Sequence, residues 1–218
     1  LKASLDTDVI IHFYRANLQN ILLNFFDDGV FIYEQIRNIE LANHAADLLN
    51  IIDADIHAGR IELYTNDKLK EEAVFKIFQE NVHENRLLYG AGDLGEVYAI
   101  SLAQTIGTYS LVTDDTKQGG PYMSLLQFED DIMPFNFADV LILRYLFGKA
   151  NEFETVQDFN QINSASNLNW SFRSQVAKFI RRFWSAPYRN EDKKWIEKQI
   201  DKHKIKIKPK LTSLSKLI

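Results

Sequence analysis

Four acidic positions, far apart in the chain and each beside an apolar run, carry the chemistry that this sequence offers. Asp6-Thr7-Asp8 follows the strand-like residues 2–5, and Thr113-Asp114-Asp115 follows the β-rich residues 108–112. Glu96, with Asp93 three residues earlier, opens an apolar stretch that reaches Ile106. Glu40 falls one helical turn after Ile36, and Glu34 competes with it for the same role. Carboxylates beside buried elements are costly unless something compensates them, and a bound divalent cation is one such partner. A donor set made only of oxygen selects Mg²⁺ or Mn²⁺. One or two such ions can activate a water and stabilise the leaving oxygen of a phosphodiester. The chain has no cysteine, which excludes thiolate catalysis, disulfides and Cys-ligated zinc or iron–sulfur sites.

Each position also has a plain structural reading. Asp8 serves equally well as the N-cap of the helix that follows it. Asp93-x-x-Glu96 resembles a capping box. Asp27 and Asp28 sit in a turn beside Gly29, Asp130 and Asp131 read as solvated loop, and Gly119-Gly120-Pro121 reads as a turn because no Lys-Ser/Thr follows it. His12, His44, His57, His83 and His203 show no ligand spacing and read as structural or exposed. For Asp6 and Asp115 together, no capping role explains both acids at strand ends.

The elements that must position these groups alternate strand and helix. Residues 2–5, 30–33, 61–64, 108–112 and 132–135 are strand-like, the last an edge strand because of Pro134. Helical spacing runs over residues 9–26, over 35–57 with Ile36, Ile39, Ala45, Leu48, Leu49 and Ile52 facing inward, over 66–86, and over 138–147. Residues 94–106 are apolar on nearly every side, which marks a buried helix, and Gly107 and Gly148 stand where left-handed caps are cheapest. This alternation predicts an α/β fold, a central, mostly parallel sheet between two helical layers. Sites in such folds form outside the carboxyl ends of the strands, where the four acids can meet.

The net charge of −5 hides an asymmetry: residues 1–169 hold 11 Lys+Arg against 26 Asp+Glu, and residues 170–218 hold 14 against 4. A linker is expected at 163–167, dividing a first domain, 1–162, from a basic and mainly helical appendage, 163–218. Residues 171–184 form a basic amphipathic helix with Arg173, Lys178, Arg181 and Arg182 around an apolar face, and 204–210 alternates like an exposed edge strand bearing Lys204, Lys206 and Lys208. These cations suit a polyanion, or they neutralise the acidic body of the same chain or of a second copy, as in a homodimer. Trp170, Phe172, Phe183 and Trp184 read as packing in preference to base-stacking platforms. No membrane span or signal-peptide pattern is present, and a reducing, cytoplasmic setting is expected.

The arrangement resembles the PIN-domain nucleases over about residues 2 to 147. The opening motif is Leu5-Asp6-Thr7-Asp8-Val9-Ile10-Ile11, the helical Glu is Glu40 in Ile39-Glu40-Leu41, the third acid is in Gly95-Glu96-Val97-Tyr98-Ala99, and the Thr-x-Asp pattern is Thr113-Asp114-Asp115. The resemblance implies a Mg²⁺- or Mn²⁺-dependent endoribonuclease acting on single-stranded RNA. Asp6, Glu96 and Asp115 would bind metal, with Asp114 alternative to Asp115, Glu40 positioning water or a second ion, and Thr113 assisting. The chain departs from the family at Asp8, where Asn or Ser is commoner, and after residue 170, which has no counterpart in the minimal fold. Two other readings compete: a PIN-like module that binds RNA or, through its basic end, a protein without turnover, and a haloacid-dehalogenase-like phosphatase using Asp6 and Asp8.

Overall fold

The computed structural model describes residues 1–89, 94–117, 120–128 and 131–217. Asp93, Gly119 and Asp130 lie outside the described residues, and with them the capping-box reading of Asp93. The chain divides into two compact units, Leu1–Asn136 and Phe137–Ile218.

In the first unit, strands β1 (Lys2–Leu5), β2 (Gly29–Tyr33), β3 (Glu62–Tyr64), β4 (Ser110–Val112) and β5 (Met133–Phe135) pair in parallel in the order β3-β2-β1-β4-β5. Between β1 and β3 the chain forms α1 (Thr7–Arg15), α2 (Gln19–Phe25), α3 (Ala42–His44) and α4 (Leu49–His57). Then come α5 (Asn66–Glu71), α6 (Phe75–Tyr89) and α7 (Leu94–Thr105) before β4, and α8 (Pro121–Phe128) before β5. The first two crossovers step outward from β1 in one direction, and the next two run the opposite way. Right-handed crossovers therefore put the early helices on one face and the later ones on the other, a three-layer α/β/α arrangement. β1 lies at the centre with Ala3, Ser4 and Leu5 fully buried, as a strand covered on both faces must be. Pro134 sits in edge strand β5, where a missing N–H costs least.

The helix α7 is buried from Gly95 to Ala103 apart from Tyr98, and the Ser4 hydroxyl donates to the Ala99 carbonyl at 2.8 Å. Gly107 (φ +64°) ends the turn after it in the left-handed region, and Gly148 (φ +76°) does the same in the second unit.

Three expected helices are broken. The 9–26 segment splits at Asn17, whose φ is +54°, and α1 begins at Thr7 with Asp6, not Asp8, as its N-cap. The 66–86 segment splits at Ala73 (φ +59°), with Thr65 capping α5. The 35–57 segment opens with a π-helix, Ile36–Leu41, and breaks at Ala45. The π-helix explains why Ile39 is 48% exposed although 3.6-residue spacing puts it beside Ile36. In an i→i+5 helix the residues brought to one face are Ile36 and Leu41, and both are fully buried.

A buried polar bond fixes α1 against α4: the Tyr14 hydroxyl donates to Asp55 at 2.5 Å, and Arg60 pairs with the other carboxylate oxygen at 2.9 Å. Burial, then the hydrogen bond and charge of Asp55, holds the phenol far above its ordinary pKa, so it stays a donor. Tyr14→Phe is expected to cost about 1.5–3 kcal/mol, the range for a hydrogen bond to a charged group, in denaturant unfolding. A loss below about 0.5 kcal/mol would show that Arg60 alone satisfies Asp55.

The second unit comprises α9 (Phe137–Leu146), α10 (Glu152–Ala165), α11 (Phe172–Ile180) running into a π-turn at Arg181–Ser185, α12 (Asn190–His203) and α13 (Ile207–Ser215). Its core is aromatic. Phe137 stacks on Phe159 (5.2 Å) and on Trp170 (5.0 Å), and Phe159 stacks on Phe172 (4.4 Å). The packing reading of Trp170 and Phe172 therefore holds. The residues expected to begin a linker, Asn163 to Ala165, close α10, and the Asn163 side chain bonds both backbone groups of Trp170. The expected strand at 204–210 is not formed: Lys204 is a left-handed cap (φ +52°) and α13 follows. The Lys-Ile alternation imitates a strand, yet Ile207, Leu211 and Leu214 continue at i, i+4, i+7, and Pro209 falls in the first helical turn, where proline is tolerated.

Candidate active site at the switch point of the sheet

Strands β1 and β4 are neighbours in register Leu5↔Val112, so Asp6 and Thr113 leave the sheet side by side at its carboxyl edge. This is the point where the strand order reverses, the place where open parallel sheets leave a crevice. Asp6 is only 3% exposed. Its Oδ1 accepts from the Thr7 N–H at 2.7 Å and its Oδ2 accepts from the Thr113 hydroxyl at 2.9 Å. The same Thr113 oxygen accepts from the Asp115 N–H at 3.3 Å, so one hydroxyl joins both strand ends. Asp6 does have a capping role after all, and that role fixes its carboxylate in one orientation.

Glu96 reaches this edge because α7 runs back along β1. Three residues before Ala99 is about 5 Å of helix, and two residues beyond Ser4 is about 7 Å of strand, so Glu96 and Asp6 lie toward the same end. Glu96 is 8% exposed in the first turn of α7, where a negative charge suits the helix dipole.

The two aspartates after Thr113 differ. Asp114 turns inward and its Oδ2 lies 2.6 Å from His12 Nδ1 on α1. Burial pulls the His12 pKa down, but the hydrogen bond and charge of Asp114, helped by Asp8, outweigh it and leave the imidazole above its usual value. Asp115 stays at the surface of the crevice, with Lys117 Nζ 2.6 Å from Oδ2 and the Lys117 N–H 3.2 Å from Oδ1. Lys117 is 77% exposed along its side chain, and such a pair contributes under about 1 kcal/mol, so it yields readily to a stronger cation.

Among the described residues, no three His, Asp or Glu side chains are grouped closely enough to hold a metal ion. The chemistry of the donors nevertheless suits a hard cation: Asp6, Glu96, Asp114 and Asp115 present only oxygen. Thr7 Oγ1, adjoining Asp6, is buried and has no hydrogen-bond partner among the described residues. Such a hydroxyl costs about 1–3 kcal/mol, which a bound oxygen donor or acceptor would recover.

The other expected residues stand apart. Glu34, at the end of β2, accepts from the Asn66 N–H at 3.1 Å and so braces α5. Glu40 lies on the π-helix, half-buried, 3.7 Å from His44. Asp8 is exposed in the first turn of α1, one turn from His12. In the second unit Arg173, Lys178, Arg181, Lys204, Lys206 and Lys208 are exposed. Arg182 is not available for phosphate: it is 2% exposed and bound to Asp139 and Asp192. His12, whose partner is 102 residues away, and Lys117 carry no signature in the sequence beyond the Asp8–His12 spacing of four on one helix. Among the described residues no helix is long and apolar enough to cross a membrane. Comparison with family models, with curated proteins and with solved structures finds no match.

Proposed function

We propose that the chain is a Mg²⁺- or Mn²⁺-dependent endoribonuclease of PIN-like architecture, cleaving single-stranded RNA at the β1–β4 crevice. The observation that carries this reading is the pairing of Asp6 with Thr113-Asp114-Asp115 on adjacent strand ends at the switch point, with Glu96 in the first turn of the buried helix α7. The chain's own residues do the following. Thr113 and the Thr7 N–H hold Asp6 rigid, so its remaining lone pairs keep a fixed direction. Asp115 is released when Lys117 swings away. Asp114, tied to His12, anchors the loop. Glu40, on the π-helix beside His44, has no part in this reading. A bound divalent ion would supply the activated water and charge neutralisation at the phosphate. The exposed cations of the second unit would contact the RNA backbone.

The reading is tested apart from turnover by titrating Mn²⁺ and following its EPR signal. Binding is expected in the wild type and at least about tenfold weaker in Glu96→Gln; equal binding by both would remove Glu96 from the site. Gly120 gives a second handle. An added Cβ would lie 2.6 Å from Asp115 Oδ1 and 3.0 Å from the Asp115 carbonyl oxygen, so Gly120→Ala must displace that segment. More than about tenfold loss of cleavage is expected, because small misplacements of a catalytic group are expensive. Unchanged cleavage would argue against Asp115.

A further inference from the structure

A cavity of about 330 Å³ lies in the first unit, lined among others by Tyr33, Asn66, Phe75, Phe78, Arg86 and Tyr98. Its size is that of a small-ligand site. Tyr33 is the last residue of β2, the strand next to β1, and Tyr98 lies on α7, the helix whose first turn carries Glu96. The walls are aromatic. Tyr33 lies 4.6 Å from Phe78 and 5.0 Å from Tyr98, and the Phe78 and Tyr98 rings are within 23° of parallel at 6.5 Å. Tyr33 and Phe78 are buried, whereas Tyr98 and Phe75 are part-exposed and so can be covered by a ligand.

The polar groups complete a different requirement. The Tyr33 hydroxyl donates to Asn66 Oδ1 at 2.8 Å, which fixes that amide and leaves its NH₂ as a donor. Burial first, then Glu34 and Tyr98, pushes the Tyr33 pKa to about 12, so the phenol remains a donor. Arg86 and His83 stand exposed on α6, one turn apart in the helix, at the rim. A flat aromatic slot, an oriented amide and a cation at the mouth are what an unpaired base with its phosphate needs. A purely apolar ligand would leave the amide and the arginine unused.

We propose that this cavity is a base-binding subsite of a single-stranded nucleic acid, with Tyr98 as the stacking platform, Asn66 reading the base edge and Arg86 holding the adjoining phosphate. It deepens the nuclease reading, and rests on it for the choice of nucleic acid. The subsite would place the neighbouring phosphodiester at the β1–β4 crevice.

The test uses the full chain in EDTA and follows the anisotropy of labelled oligouridylate and of the matching DNA. Tyr98→Ala is expected to weaken binding about 10- to 100-fold, and Tyr98→Phe to leave it unchanged. Arg86→Ala should weaken binding and lower the salt slope by about 1. Photocrosslinking of 4-thiouridine RNA should mark Tyr98 or Phe75. If Tyr98→Ala does not fold, Arg86→Ala at its exposed position and the crosslink map decide the matter. Wild-type affinity in both alanine variants, or crosslinks confined to the second unit, would overturn the subsite. Cleavage and binding are separable: binding at the cavity without metal-dependent cleavage would sink the nuclease reading and leave the subsite standing, and cleavage insensitive to Tyr98→Ala would do the reverse.

Discussion

On the proposed nuclease reading, Asp6→Asn is expected to lower RNA cleavage by at least about 10²–10³-fold and to leave the melting temperature unchanged or higher. The activity loss is of the size seen when one preorganised electrostatic group is removed from a reaction centre. The stability side follows from the local bonds. Asparagine caps helices as well as aspartate does, so the bond from the Thr7 N–H survives, and its amide oxygen or NH₂ can still meet Thr113. A buried charge at the rim of an acidic crevice is meanwhile removed, a change that commonly stabilises a site at the expense of function. Asp6→Ala separates the two roles, because it also deletes the cap and should cost about 0.5–2 kcal/mol on top of the activity loss. Asp6→Asn with activity within about threefold of the wild type would mean that Asp6 is a cap and nothing more.

The second large effect lies away from the crevice. Arg182→Met is expected to destabilise the second unit by about 3–5 kcal/mol, the cost of breaking a buried ion network by removing one partner. Arg182 Nε and Nη2 meet the two oxygens of Asp192 at 3.1 and 3.3 Å, its Nη1 lies 3.4 Å from Asp139, and Arg189 Nε lies 3.0 Å from Asp192. The guanidinium also packs 4.6 Å from the Phe183 ring. Deleting it leaves Asp139 and Asp192 buried with Arg189 close to one of them. Arg182→Lys should recover little, because a lysine cannot make the two parallel bonds to Asp192. Adding Asp192→Asn to Arg182→Met should return part of the loss, since the two residues share one network. Thermal unfolding read in the second unit should fall by at least about 12 °C for the single variant, at about 4 °C or more per kcal/mol in a unit of this size. A loss under about 1 kcal/mol would show that the pair is a surface ornament, against its burial.

What was legible in the sequence was what a short window can carry. The helix over 94–106 was plain because it is apolar all round, and its helical stop was plain because only glycine adopts +64° cheaply. Pro134 marked the edge strand before any pairing was known. The parallel sheet followed from alternation alone. The failures share a cause: a local pattern had two physical solutions. Ile36 and Ile39 fit one face of a 3.6-residue helix on paper, and the chain uses a wider π-turn that exposes Ile39. Lys204 to Lys208 fit a strand, and the apolar positions beyond them decided for a helix. Arg182 belongs to a basic run and looked like its neighbours; only the fold brings Asp139, 43 residues away, to it. At the crevice, Asp6, Glu96 and Asp115 stood out by residue type and place, whereas the ties that distinguish Asp114 from Asp115 are a histidine on another helix and a lysine two residues on.

The most direct test of the central claim is single-turnover cleavage of labelled single-stranded RNA by the full chain with Mn²⁺, with Mn²⁺ and excess EDTA, and with Asp6→Asn, Glu96→Gln and Asp115→Asn. Cleavage is expected to need the metal and to be lost in all three folded variants. Cleavage that persists in EDTA, or that survives in the three variants, would contradict a carboxylate-bound metal at the switch point.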